Sequence, residues 1–287
     1  MLDSDNNVKY FTIQETNLLS EIVYDVLSLN SEGFSALIKL GAIYVNNQRQ
    51  ARDGFVPQNS SLRVHTKPRR FDCNFRWSKL IVFENDFFLV LNKPSGIPSH
   101  PSVDNALENS LTQTSLARKI PLFVTHRLDT LTSGLIVYAK KQSFVRSFNL
   151  QLQERSIRKK YVALVESTQK FPTRLTHYMD PAAGTPKKLS DEANGVWPIC
   201  ELEVLEQNEV SPNLSWVKLN LLTGRTHQIR SQLAFLQAPV MGDFLYGAKL
   251  AFQMNAIALR SCEIEFNCLD ERMKFNISEE FENVRRT

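Results

Sequence analysis

The sequence predicts an α+β fold. Three observations lead there: short strand candidates are interspersed with a few helical stretches, no regular strand–helix–strand rhythm appears, and no glycine-rich turn follows the first strand, as a doubly wound sheet would require. With 287 residues, 43% hydrophobic and 22% charged, the chain has room for a small domain plus a larger one and falls among globular sequences. The longest apolar runs, such as 87–91 and 135–139, are five residues each, against the roughly 20 that a membrane helix needs.

The elements follow in order. Leu18, Leu19, Ile22, Val23, Val26 and Leu27 recur at three- and four-residue steps and predict an amphipathic helix. A second helix is expected over 32–40, ended by Gly41 as its C-terminal cap. Residues 42–45 and 62–65 alternate like short strands, with a turn at Asn46-Asn47. These pieces make a small domain over residues 1–67, and residues 68–78, with Pro68 and three arginines, read as a linker. From 79 to 287 a larger domain is expected, with strands at 80–83, 87–92, 135–140, 161–166, 202–206, 216–221 and 256–259. Its helices are placed at 142–154, where Phe144, Phe148, Leu150 and Leu152 fall near one face, and from about Thr226.

Charge is uneven. Residues 1–38 hold one cation, Lys9, against six acids that include Asp3 and Asp5; residues 39–70 hold seven cations against Asp53 alone. Residues 118–160 hold ten cations and two acids, Asp129 and Glu154. Blocks of this kind are either solvated faces or the footprint of a polyanion such as RNA. The acidic, polar residues 1–5 lack the basic start and apolar core of a signal peptide, so a cytoplasmic location is expected.

Several chemistries lack their residues. Gly242 and Gly247 have the spacing of a phosphate-binding loop, but Ala248-Lys249-Leu250 stands where Gly-Lys-Ser or Gly-Lys-Thr is needed. No Gly-x-Gly-x-x-Gly, His-Glu-x-x-His or Gly-x-Ser-x-Gly occurs. The four cysteines form no Cys-x-x-Cys pair and the five histidines are scattered, so neither metal nor cofactor is expected. Two dense polar clusters stand out instead: residues 125–134, ahead of an apolar strand, and residues 223–230, directly after one. An acid beside arginines in a strand-flanked loop suits catalysis, because a neighbouring guanidinium keeps the carboxylate ionised. Loop packing would use the same residues.

Taken together, the clusters carry a resemblance. His126-Arg127-Leu128-Asp129-x-x-Thr132-Ser133-Gly134 resembles the catalytic motif of the RluA-type pseudouridine synthases. Asn92-Lys93-Pro94-Ser95-Gly96, Lys160-Tyr161-Val162-Ala163, Thr223-Gly224-Arg225-Thr226-His227-Gln228-Ile229-Arg230 and Gly242-Asp243-x-x-Tyr246-Gly247 are similar to further blocks of that family, in the same order. Residues 15–67 resemble the small RNA-binding domain of the ribosomal-protein S-four type. The chain departs from the pattern at Leu259-Arg260-Ser261, where many relatives have Leu-His-Ala, and at Asn47 in place of a turn glycine.

The resemblance implies a pseudouridine synthase fold, a mixed and largely antiparallel sheet with flanking helices and a central cleft, after the small α+β domain. It implies a monomer that isomerises uridine in rRNA or tRNA to pseudouridine without a cofactor and flips the target base out of its stem. In the family's terms Asp129 is the essential acid, Arg230 pairs with it, and Tyr161 stacks on the target base. Arg127 fills the vacated space and Ile229 lines the pocket, with His126 and Arg225 completing the substrate-binding set. Lys93 and the basic run Arg155, Arg158, Lys159 and Lys160 are read beside this either as phosphate contacts or as a solvated face. The competing reading is a catalytically silent RNA-binding or assembly factor with the same fold.

Overall fold

In the computed structural model, which describes residues 7–269 and 271–281, the chain divides into two units. One holds the residues up to Phe75 together with His100–Arg118; the other holds Arg76–Ser99 together with the residues from Lys119 onward. Asp3 and Asp5 of the acidic block lie outside the described residues.

In the first unit the helices are Leu19–Leu27 and Ser31–Leu40. The second begins where the Asn30 side chain accepts the Gly33 N–H at 2.9 Å and ends where Gly41, at φ +69°, turns left-handed and donates to the Ile38 carbonyl. Their apolar faces close a core of Leu19, Val23, Phe34, Leu37, Ile43, Leu62 and Val64. Asn46 and Asn47 both adopt positive φ, the two-residue turn that suits the right-handed twist of a hairpin. That hairpin joins a four-stranded sheet ordered Val8–Thr12, Ser61–His65, Ile43–Val45, Gln48–Arg49. The first of these strands is not anticipated from the sequence: it lies at the sheet's edge, mostly exposed, and only its pairing with residues 61–65 defines it.

The stretch read as a linker makes strong contacts within this unit. Arg69 makes a two-point pair with Asp104, at 2.9 and 2.7 Å, and Arg70 grips Glu108 at 2.7 Å. The Arg49 guanidinium donates to the Ser102 carbonyl at 2.6 Å. Residues 100–118, which sequence alone assigns to the larger domain, therefore supply the counter-charges of the smaller unit.

The second unit is built on an eleven-stranded sheet. All its strand pairs are antiparallel except one, between Ser133–Ala139 and Leu259–Cys268. The helix Gln142–Gln153 lays Phe144 and Phe148 against Phe88 and Phe266, with Phe88 and Phe144 stacked at 4.8 Å. The strand expected at 256–259 starts only at Leu259 and runs to Cys268. Ile257 and Ala258 are buried, but their N–H groups donate to Leu131 and Met241 of irregular segments, and only the Ala258 carbonyl reaches a sheet strand, accepting the Leu164 N–H. The last helix starts at Gln228, because Thr226 and His227 are spent in the turn before it.

Candidate active site

The loop bearing Asp129 is held from three sides. Ser99 Oγ donates to the Leu128 carbonyl at 2.6 Å and accepts the Leu128 N–H at 3.0 Å, while the Tyr138 hydroxyl donates to the Ser99 carbonyl. The Asp129 carbonyl accepts the Thr132 N–H, closing a turn. Gly134 then brings the chain into the sheet at φ +108°, where a Cβ would lie 2.2 Å from the Ser261 oxygen. Only glycine fits there. Ser261 pairs with Gly134 on one side and Tyr161 on the other, so the Asp129 loop and Tyr161 stand across a single intervening strand.

The second motif is set by buried amides. Gln228 Oε1 accepts from Thr223 Oγ1 at 2.8 Å and from the Arg225 N–H, and its Nε2 donates to the Glu201 carbonyl. Gln232 in turn reaches the Cys200 carbonyl and His177. These bonds fix the helix Gln228–Phe235 against the sheet, and His227, at φ +57°, precedes it in the left-handed region. Arg230 on the first turn is then buried, with 4% of its side chain exposed.

There the guanidinium sits between two carboxylates. Nε and Nη2 bind Asp243 at 2.6 and 2.8 Å, and Nη1 donates to Asp129 Oδ2 at 3.2 Å. Tyr246 lies under the guanidinium at 5.0 Å from its ring centroid. The Tyr246 hydroxyl accepts the Lys187 N–H and meets His227 Nδ1 at 3.1 Å, which leaves His227 Nε2 facing Asp129 Oδ2 at 3.9 Å. Burial lowers the His227 pKa and Arg230 adds to this, against the pull of Asp129, so the imidazole is neutral near pH 7. Burial opposes the charge on Arg230, but the bonds to Asp243 and the field of both carboxylates outweigh it and raise its pKa further. Asp129 Oδ1 has no hydrogen-bond partner among the described residues, and its side chain is 24% exposed. The result is a carboxylate with one oxygen held and the other open.

Tyr161 is buried, and burial raises the pKa of its phenol against the opposing effect of the nearby Ser261 side chain. Ile229 is buried beside Arg230 on the helix, while Arg127 and Arg225 are exposed. Arg127 donates to Thr226 Oγ1 at 3.5 Å.

Two readings are corrected. Lys93, expected as a phosphate contact, is fully buried: its ammonium donates to the carbonyls of Pro94 and Ile97 at 2.8 Å and of Thr130 at 3.3 Å. Burial pushes its pKa down to about 7, against the field of Asp129. It ties the segment after its own strand to the residue next to Asp129 and has no face for RNA. His126, expected to bind substrate, stacks on Phe148, and its Nε2 accepts the Val137 N–H at 3.1 Å. Burial lowers its pKa to about 3, which agrees with a neutral ring serving as an acceptor. Lys93 is thus spent on backbone carbonyls, and the bonded nitrogen and ring face of His126 are taken up by the protein itself. The sequence reading in turn leaves out Asp243, Tyr246, His227 and Ser99; the first three stand inside the quoted motifs, and Ser99 carries no signal of its own.

A profile of the RNA pseudouridylate synthase family matches residues 87–235. The chain belongs to that family. An uncharacterized RNA pseudouridine synthase of Mycoplasma genitalium is 33% identical over 254 residues, which cover 83% of this chain and 80% of that protein. The chloroplastic RNA pseudouridine synthase 6 of rice is 32% identical over 210 residues, 64% of this chain and 44% of the rice protein. The chain thus spans less than half the length of that plant relative. Among solved structures, human RNA pseudouridylate synthase domain containing 1 superposes with a TM-score of 0.53 at 25% identity, covering 69% of this chain and 82% of the human one. The matched span contains the Asp129 loop, Tyr161 and Arg230, and stops short of Asp243.

Proposed function

We propose that the protein isomerises uridine in RNA to pseudouridine at Asp129. One observation carries the reading: Asp129 has one oxygen fixed by a buried arginine that a second carboxylate orients, and its other oxygen is free. The reaction breaks the C1'–N1 bond, forms C1'–C5, releases the C5 proton to solvent and protonates N1. It needs a carboxylate aimed at the sugar or the base, and the bond from Arg230 holds Asp129 in that way. Tyr161, one strand removed from the Asp129 loop, is the ring against which the base stacks, and Ile229 is an apolar wall. A paired uridine must be flipped out, at a cost of a few kcal/mol, and the exposed Arg127 is placed to steady the strand it leaves.

A ribosomal large subunit pseudouridine synthase of Buchnera aphidicola and a mitochondrial tRNA pseudouridine(32) synthase of Saccharomyces cerevisiae, both similar to this chain, point to rRNA or tRNA as the substrate class. The first unit is read as an RNA-backbone grip. Arg69 and Arg70 are committed to Asp104 and Glu108, so this role falls to Lys39, Arg52 and Lys67.

The test is tritium release from RNA labelled at C5 of uridine, with pseudouridine mapping of total RNA from cells with and without the protein. Stoichiometric release and a modified position that disappears with the protein are expected. RNA binding without release would leave the silent-factor reading.

A further inference from the structure

Within the basic run that leads to Tyr161, the cations meet different fates. Arg155 pairs with Glu201 and Lys160 with Glu263, both at 2.8–2.9 Å. Arg158 is exposed and acts on Glu265. Lys159 differs: it is 9% exposed and has neither an ion pair nor a hydrogen bond among the described residues. Its stem is packed away while the ammonium itself still reaches solvent, so it stands as an unpaired cation at the surface, open to an anionic ligand.

Its position indicates which. Lys159 lies two residues before Tyr161 on one strand, and alternation puts both side chains on the same face. A Cβ built on Gly224 would lie 3.3 Å from Lys159 Nζ, and the Lys159 charge acts on His126. The ammonium therefore lies where the two motif loops converge, beside the exposed Arg225 and Thr226. The glycine at 224 places no side chain over it. Burial lowers its pKa to about 8, leaving most of the group charged near pH 7.

We propose that Lys159 binds a backbone phosphate of the RNA beside the nucleotide that enters the Asp129 site. The proposal rests on the isomerase reading for the identity of that nucleotide, but not for the phosphate contact. A phosphodiester supplies the missing negative charge, is part of every RNA substrate, and reaches the ammonium past Gly224 without displacing a side chain.

The experiment compares wild type with Lys159→Met, a substitution that keeps the packed stem and removes the charge, so that Tm should change little. The probe is a fluorescein-labelled RNA stem-loop with uridines in the loop, together with the same stem-loop carrying uncharged methylphosphonate linkages there. Lys159→Met should weaken binding about tenfold or more, as loss of a charge-assisted hydrogen bond does, and flatten the slope of log Kd against log salt by about 0.7–0.9. Wild type should lose the same factor on the methylphosphonate RNA, and the variant should lose little more. Single-turnover tritium release at subsaturating RNA should fall in step with the loss of affinity. Wild-type affinity and slope in the variant, or an unchanged wild-type Kd on the uncharged linkages, would overturn the proposal; the second measurement decides even if the variant misfolds. Absence of tritium release from wild type would overturn the isomerase reading and leave the binding comparison intact.

Discussion

Asp243 holds Arg230 at two points, 2.6 and 2.8 Å, in a setting where Asp243 is 1% exposed, and Asp129 receives only the remaining arm at 3.2 Å. The orientation of the guanidinium is thus set by the carboxylate that is out of reach of solvent. Asp129 can change its bonding without releasing the arginine, which suits a group meant to react.

Asp129→Asn should therefore leave Arg230 in place and the fold intact. RNA affinity should stay near wild type, and single-turnover pseudouridine formation should fall by several orders of magnitude, since the amide is neither a nucleophile nor a base. Substantial product from this variant would remove Asp129 from the proposed chemistry.

Arg230→Lys should retain some activity and Arg230→Ala very little, because lysine keeps the charge but cannot span two carboxylates. Asp243→Asn tests the orienting contact. It removes one member of a buried pair, so it should cost about 3–5 kcal/mol of stability and lower kcat more than it raises KM. Wild-type kcat in this variant would show that the guanidinium needs no second anchor.

How much of this was legible before the structure depends on the kind of residue. Asp129 and Arg230 stand in compact motifs of unusual composition, and the family resemblance joins them; the structure puts them 3.2 Å apart. Residue type says nothing, however, about which way a polar side chain points. Lys93 and His126 stand in equally dense polar motifs, yet one turns inward to backbone carbonyls and the other onto Phe148. The hold of Asp243 on Arg230 spans thirteen positions bridged by an irregular loop, so no periodicity reveals it. The placement of residues 100–118 was hidden for a related reason: the helix Ser110–Arg118 buries Ser110 and Thr114, polar residues that carry no hydrophobic pattern.

Gly134→Ala should be among the most damaging single-methyl changes in the chain. Its Cβ would fall 2.2 Å from the Ser261 oxygen, which is backbone, at a φ of +108° that alanine avoids. A loss of roughly 3 kcal/mol or more is expected, read as a fall in Tm. Gly184→Ala, where nothing lies within 4 Å of the added methyl and φ is unstrained, is the control that should change little.

The last prediction concerns the acid stability of the first unit. The bonds from Arg69 hold the Asp104 carboxyl well below the usual aspartate range, although burial works against them. Glu108 is also lowered: burial raises its pKa, but the bonds from Arg70, the Phe71 N–H and Asn105 outweigh this. A carboxylate with a depressed folded-state pKa contributes stability above its unfolded value, about 3.9 for aspartate, and loses it as pH falls towards the folded value. Arg69→Met removes the pair and lets the Asp104 pKa return towards normal. The variant should therefore be less stable than wild type at pH 7, and the two should converge as pH is lowered from about 5 to below 3. Residues 100–118 should also become the first sites of proteolysis in the variant, because Asp104 loses its anchor there. Denaturant unfolding of both proteins across that pH range is the measurement. A stability gap that is constant with pH would mean that Arg69 contributes through packing of its stem and not through the charge of Asp104.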